Sequence, residues 1–480
     1  MYRNNWIQHH AGSSLLAGAL LLAMTGGPAP ADTVENGEFE RPGYQALRFN
    51  EDWSGLAGHD RTQTGDLFDP IKYVPLSDDG WLWASFGGQV RFRHEKWRDF
   101  GFARSNDDGF ELFRTLLHAD LHVGENVRFF VQGKSAFATE RNLPGGQRGL
   151  DVDELDLQNA FVDVSMPFAG GTFTFRPGRQ ELLFGKQRLV SPLDWSNTRR
   201  TFDGFSGILK LEGWKITGFW TRTVPVQKYD FNDQDANTDF YGLYVQGKVP
   251  TTEFDLDLYW LGLEKDMAMF NGTMGDERRQ TVGGRIGGKL PAHFDFDVEG
   301  AFQFGELGSD DISAFMFAAE LGHTLVDCPA APRLHVAFDY ASGDHSAGGD
   351  VETFNHLFPL GHKYLGWIDV IGRQNIIDLS SGVGFKVRKK TKVLLIGHLF
   401  WRADDSDVLY NAGGGVVPRP GTSNDHEVGG EIDLLVKHQF DRHLAALFGY
   451  SHFFPGNYIE ESGIKSSGID FFYLSLQYTF

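Results

Sequence analysis

The sequence predicts an all-β protein: a closed, antiparallel transmembrane β-barrel of about eighteen strands with short periplasmic turns and long extracellular loops. Three observations predict it. The composition combines 59 Gly with 14% aromatic residues, 42 of them Phe, which suits glycine-punctuated strands better than helices, which glycine weakens. Apolar and polar residues alternate with period two in segment after segment, up to the last residue. An even number of such segments is joined by connections that alternate between short and long, as in barrels that cross a membrane on strands.

The chain opens on an address. Arg3, the apolar run Leu15 to Met24 and the small residues of Ala29-Pro30-Ala31 read as a signal peptide over residues 1–31, with cleavage before Asp32. A run this short is about half of a membrane-spanning helix, and no later segment is apolar for long enough to span as one. Residues 32–80 are mixed in polarity, with Glu51-Asp52-Trp53 and Asp69-Pro70-Ile71-Lys72-Tyr73, and are expected to form a periplasmic leader or a segment at the mouth. The barrel itself is expected over 81–480.

Its strands are expected at 83–97, 111–123, 127–138, 155–165, 172–182, 202–211, 213–224, 239–249, 252–263, 280–290, 293–304, 312–324, 332–342, 374–387, 392–402, 427–438, 443–453 and 471–480. The last is the plainest: Phe472, Leu474, Leu476, Tyr478 and Phe480 alternate with Tyr473, Ser475, Gln477 and Thr479. An aromatic closing such an alternation resembles the C-terminal recognition strand of bacterial outer-membrane barrels. Leu334, Val336, Phe338 and Tyr340 repeat the pattern, as do Phe294, Phe296, Val298 and Phe302. Connections such as Pro250-Thr251 and Pro291-Ala292 are tight, whereas 183–201, 225–238, 264–279, 343–373 and 403–426 read as long loops. Short turns are periplasmic in such barrels, so both termini are expected in the periplasm. Eighteen strands leave room for an aqueous lumen.

Composition excludes several function classes. A formal charge of −20 lacks the basic footprint of a nucleic-acid binder. One cysteine, Cys328, supports neither an intramolecular disulfide nor a cysteine metal cluster. No GxSxG, HExxH, P-loop or dinucleotide fingerprint occurs, and the consecutive Asp344, His345 and Ser346 make a poor triad. The chain is expected to be neither an enzyme nor a cofactor protein, an outer-membrane hydrolase being the minor alternative.

Gly178-Arg179-Gln180-Glu181-Leu182 followed by Gly185 and Arg188, the run Phe400-Trp401-Arg402-Ala403-Asp404-Asp405-Ser406-Asp407, and Gly430-Glu431-Ile432-Asp433-Leu434 with Val436 and Lys437 form a further set of motifs. In this order they resemble the alginate export family of outer-membrane barrels. The resemblance implies an eighteen-stranded monomeric pore in the bacterial outer membrane, surrounded by lipid and lipopolysaccharide, passing an anionic polysaccharide through an arginine-rich constriction. It also marks Arg179, Arg188, Arg402, Glu431 and Asp433 as pore residues.

Passage of a uronate polymer needs cations along the wall to offset lost carboxylate hydration, spaced so that each holds weakly. Inward parity nominates Arg91, Arg93, Arg114, Arg128 and Lys134, then Lys210, Lys215 and Lys248. Asp120, Asp163, Glu181 and Glu431 face the same water and can pair with them. On the far wall Glu253, Asp255 and Asp257, then Asp295, Asp297 and Glu299, point inward with Arg285 and Lys289 between them. An acidic arc opposite a basic one gives the alternative reading, a porin for small polar solutes with a transverse field. Loop 225–238 places Asp233, Asp235 and Asn237 before Asp239, a spacing that could hold calcium, although the glycine and distal glutamate of an EF-hand are missing. Loop 343–373, with Gly343-Asp344-His345 and Leu357-Phe358-Pro359-Leu360-Gly361-His362, is expected to fold into the mouth as a lid.

Overall fold

The computed structural model describes residues 41–60, 65–346, 348–417, 423–462 and 467–480; the signal peptide and its cleavage site lie outside them. Eighteen strands form one closed antiparallel sheet. They are β1 (Leu82–Arg98), β2 (Asp108–Val123), β3 (Val127–Ala138), β4 (Asp153–Phe168), β5 (Gly171–Gln180), β6 (Phe202–Leu211), β7 (Trp214–Thr223), β8 (Thr238–Lys248) and β9 (Asp255–Phe270). The second half comprises β10 (Thr273–Lys289), β11 (Phe294–Leu307), β12 (Asp310–Thr324), β13 (Arg333–Ala341), β14 (Ile376–Arg388), β15 (Thr391–Trp401), β16 (Glu427–Gln439), β17 (Leu444–Pro455) and β18 (Ile469–Thr479). Each pairs with its neighbour in sequence, and β18 pairs with β1 from Gln89–Thr479 to Arg98–Asp470, which closes the ring. Closure leaves no edge strand and satisfies every ladder in a medium without water.

The period-two pattern becomes two faces. Leu334, Val336 and Phe338 of β13 are about half exposed on the outer wall while Asp339 is buried inside, and Leu474 on β18 is exposed beside a fully buried Tyr473. The polarity is that of a soluble protein turned inside out, with apolar side chains toward lipid and polar ones toward the lumen.

The alternation of connection lengths breaks at two places. Residues 264–279 are not a long loop. β9 and β10 extend through them to a two-residue Asn271-Gly272 turn, with a bulge between Lys265 and Ala268. On the same rim Gly308-Ser309 joins β11 to β12. Asn-Gly is the preferred two-residue hairpin chemistry, and it lets the ladder run on where charged residues mask the alternation.

Residues 44–60 and 65–75 pack in the periplasmic mouth. Leu47 and Phe49 pack against lumen-facing Phe130 and Phe161, and Trp53, Leu56 and Tyr73 against Trp83. Arg48 donates to the carbonyls of Gly88 (2.8 Å) and Phe480 (2.9 Å), joining this segment to the last residue.

Candidate functional site: the barrel lumen

Two connections enter the lumen. Residues 181–201, between β5 and β6, turn inward, and residues 342–346 and 348–375, between β13 and β14, meet them there. Val190 and Phe358 form a parallel bridge, and the Trp195 ring stacks on His362 at 3.7 Å. Their buried apolar residues, among them Leu189, Val190, Phe354, Leu365 and Ile368, form a core inside the barrel. The long loop therefore folds into the lumen, where its apolar residues find an interior to fill.

The wall arginines hold these loops. Arg91 donates to the carbonyls of Asp194 (2.7 Å) and Ser196 (2.8 Å), and Arg93 to that of Trp195 (2.6 Å) while lying over its ring. Arg114, fully buried, reaches the Asp194 carboxylate at 2.8 Å and the Asp194 and Ser196 carbonyls. Lys134 joins the Thr198 carbonyl to Asp153. Burial alone would raise the Asp194 carboxyl, but Arg114, Arg199 and Arg91 outweigh it and hold the group well below the usual carboxylate range. A carboxylate so placed is charged at any working pH.

The remaining nominated arginines and acids face the lumen or its rim and are likewise engaged, as is Lys248, which lies 3.5 Å from Asp255. Arg128 forks onto Asp120 with two bonds of 2.6 Å. Arg179 bridges Asp156 and Asp203 and donates to the Asn232 carbonyl. Arg188 pairs with Asp297 and Glu299 at 2.6 and 3.0 Å, with Tyr364 against its guanidinium. Arg402 sits at the outer rim, donating to the carbonyls of Asp405, Asp407 and Asp425. Glu431 accepts the Ile368 N–H at 2.9 Å. Gly366 has a positive φ of 84°, and a Cβ there would strike the Glu431 carboxylate, so glycine is what lets the loop approach. Asp433 accepts from the Ser451 hydroxyl at 2.5 Å.

The acidic far wall shares a smaller number of cations. Arg285 spans Asp257 and Asp297, and Arg333 spans Asp295 and Glu320. In the calcium-candidate loop Asp235 accepts from the Asn237 N–H and the Thr238 hydroxyl, while Asp239 pairs with Arg222. No three His, Cys, Asp or Glu side chains converge as metal ligands among the described residues.

Two chambers open toward the periplasm beside the inner loops. One, of about 900 Å³, is lined by residues 45–54, the Gly124–Arg128 turn, Lys210 and Lys215. The other, of about 460 Å³, is lined by Lys186, Lys289 and Lys363 together with the paired charges of the far wall. The ammonium groups of Lys186, Lys210, Lys215 and Lys289 are in no ion pair or hydrogen bond with any described residue; that of Lys363 reaches only the Tyr364 hydroxyl, at 3.2 Å. Burial, with Arg188 nearby, lowers the Lys363 ammonium from its ordinary value. Lys186 and Lys363 escape a strand-parity reading because they lie on loops. Their signal is a lysine flanking a glycine at an inward bend, Gly185-Lys186 and Gly361-His362-Lys363.

The comparisons with known proteins agree with this architecture. No curated protein sequence matches the chain. Solved structures from Pseudomonas aeruginosa share the fold. The outer-membrane protein OprD is 13% identical, with a TM-score of 0.54 over 82% of this chain and 94% of its own. OccK2, solved in complex with glucuronate, is 11% identical over 82% and 97%, also at 0.54. OccK11 is 10% identical over 82% and 95%, again at 0.54. The likeness shows a shared barrel fold. Residues 82–471, nearly the whole barrel, match the alginate export family, and the chain belongs to that family.

Proposed function

We propose that this protein is an outer-membrane channel that passes an acidic saccharide through a lumen whose unpaired cations are lysines. One observation carries the reading. Inside the chambers the carboxylates of Asp257, Asp295, Asp297 and Glu299 are held by Arg188, Arg285 and Arg333, so the cations without a carboxylate partner are Lys186, Lys210, Lys215, Lys289 and Lys363. An ammonium on a flexible stem is a point charge that binds carboxylate loosely, whereas a forked arginine holds it in two bonds. Loose multiple contacts suit conduction. The glucuronate complex of OccK2 supports the same ligand chemistry in a barrel of the same fold.

The porin alternative needs a free acidic arc; Arg188, Arg285 and Arg333 engage most of the far wall, leaving Glu253 and Asp255 beside Lys248, which favours the saccharide reading. The hydrolase alternative needs a serine beside an outward histidine. His452 faces outward with Asp470 at 2.8 Å, but its cross-strand partners are Ile432 and Asp470. The family is one of alginate export, which favours transport over hydrolysis.

The test is the reversal potential of the mature protein in a planar bilayer under a potassium chloride gradient. Anion selectivity is expected, falling when Lys186, Lys210, Lys215, Lys289 and Lys363 are changed to Gln. A cation-selective wild-type pore would overturn the proposal.

A further inference from the structure

At the periplasmic rim, away from the two chambers, the chain carries five cations in seven residues: Lys386, Arg388, Lys389, Lys390 and Lys392 around the β14–β15 turn. The ladder arranges them. Lys386 stands directly opposite Lys392, and Lys392 directly opposite Lys437 on β16. All three side chains follow the inward parity of their strands, since Leu379, Leu395 and Ile432 take the exposed outer face. They are solvent-exposed, and no ion pair among the described residues involves any of them.

Like charges directly opposite on neighbouring strands destabilise a sheet. Here two such pairs are in series, with no acid supplied by the fold. The wall arginines stand beside partners: Arg128 has Asp120, Arg285 has Asp297, Arg333 has Asp295. Lys210 and Lys215 form one like-charged pair across two strands, whereas the rim row is three strands wide, repeating at the interstrand spacing of about 4.8 Å. It faces the lumen, so lipid headgroups outside the wall do not reach it.

We propose that the row Lys386, Lys392 and Lys437 is a capture site for a linear acidic polysaccharide arriving from the periplasm. Successive carboxylates of the polymer would bridge successive ammoniums, supplying the counter-charge that the fold withholds. The inference rests on the proposed function for the class of cargo and adds to it a place of first contact and a direction of loading. A globular acidic protein fits less well: the row lies inside a concave rim, and stable protein interfaces need a desolvated apolar anchor as well as charge.

The experiment uses the mature protein inserted in one orientation into a planar bilayer, with oligogalacturonate of defined length added to one side at a time. In the wild type the rate of current block is expected to be about tenfold higher from the periplasmic side than from the extracellular side, and to fall steeply with salt. In the triple variant K386Q, K392Q, K437Q the periplasmic rate is expected to drop to the extracellular one, with the reversal potential in potassium chloride unchanged. Removing the repulsion leaves heat-modifiable migration intact or improved, so loss of block is not loss of fold. Equal block rates from the two sides in the wild type, or a triple variant blocked as fast as wild type, would overturn the capture site while the reversal potential still reports on the channel reading. Equal periplasmic block by a polyglutamate peptide of matched charge, lost in the same variant, would overturn the assignment to a saccharide.

Discussion

Arg114 on the barrel wall and Asp194 on the loop between β5 and β6 meet at 2.8 Å in the interior, and the same guanidinium also holds the loop's backbone carbonyls. Arg114 is fully buried, and Arg91 and Arg199 add their charges beside the half-exposed Asp194 carboxylate. An arginine that ties an inner loop in place shapes a channel by setting its bore. This is a different task from touching the cargo.

Breaking that tie should loosen the loop. In the double variant Arg91→Gln, Arg114→Gln, Asp194 keeps Arg199 at 2.5 Å but loses its wall anchor. Buried hydrogen bonds to charged groups are worth about 1.5–3 kcal/mol each. Conductance and open-channel noise are expected to rise, and a protease is expected to cut within 183–200, while anion preference is largely kept. A quiet pore of wild-type conductance would show that the loop is held by its apolar core alone.

Selectivity should follow lysines rather than arginines. Lys210 and Lys215 are cross-strand neighbours, so Lys210→Gln with Lys215→Gln is expected to move the reversal potential toward cations more than Arg128→Gln. The latter frees Asp120 but leaves Arg176 on Asp163. Ion substitution in single-channel recordings reads both, and a larger shift from Arg128→Gln would reverse the assignment.

Lys72 is expected to make the docking of residues 44–60 and 65–75 pH-dependent. Its ammonium donates to the Phe86 carbonyl and lies near the rings of Trp53 and Tyr44. Burial, with Arg48 adding to it, lowers this group to about 7. An undocked Lys72 regains the ordinary value of about 10.4, so the undocked state binds more protons between these limits. Docking is therefore expected to strengthen as pH rises from about 7 to 10, by up to about tenfold per pH unit, and to be flat below 7. Proteolysis of residues 44–60 in detergent at pH 6, 8 and 10 reads this, and Lys72→Met should abolish the slope.

Phe480 is expected to matter beyond its aromatic ring. Its backbone exchanges hydrogen bonds with Gly88, its carbonyl takes Arg48, and its ring stacks on Phe68 at 4.8 Å. Deleting Phe480 should lower outer-membrane yield and expose residues 44–60 to protease, whereas Phe480→Leu, which keeps the backbone bonds, should retain docking. Wild-type yield and protection after the deletion would contradict both roles.

Much of this architecture was legible in the sequence. A strand that crosses lipid must alternate, because one face meets hydrocarbon and the other water, and the alternation at Phe472–Phe480 or Leu334–Tyr340 survives as a local signal. The strand count and closure follow from it. Residues 264–279 were the exception, since Glu264, Lys265, Asp266 and Asp276 rise above the membrane, where nothing enforces an apolar face. Inward parity likewise placed Arg91, Arg93 and Arg114 on the lumen side of the wall.

What those arginines do was decided only by tertiary structure. Parity tells which way a side chain points and is silent on what comes to meet it. Asp194, Trp195 and Ser196 lie some eighty to one hundred residues along the chain from Arg114 and Arg91, on a loop whose inward path depends on apolar residues of a second loop, Phe354 to Ile368. The pairing of Arg188 with Asp297, and of Arg333 with Asp295, is likewise long-range. Free charge in a lumen is what remains after such pairings are made. The lysines that remain at Lys186 and Lys363 could be found only once the loops were folded, because burial, contact and neutralisation are properties of the closed barrel and not of any one strand.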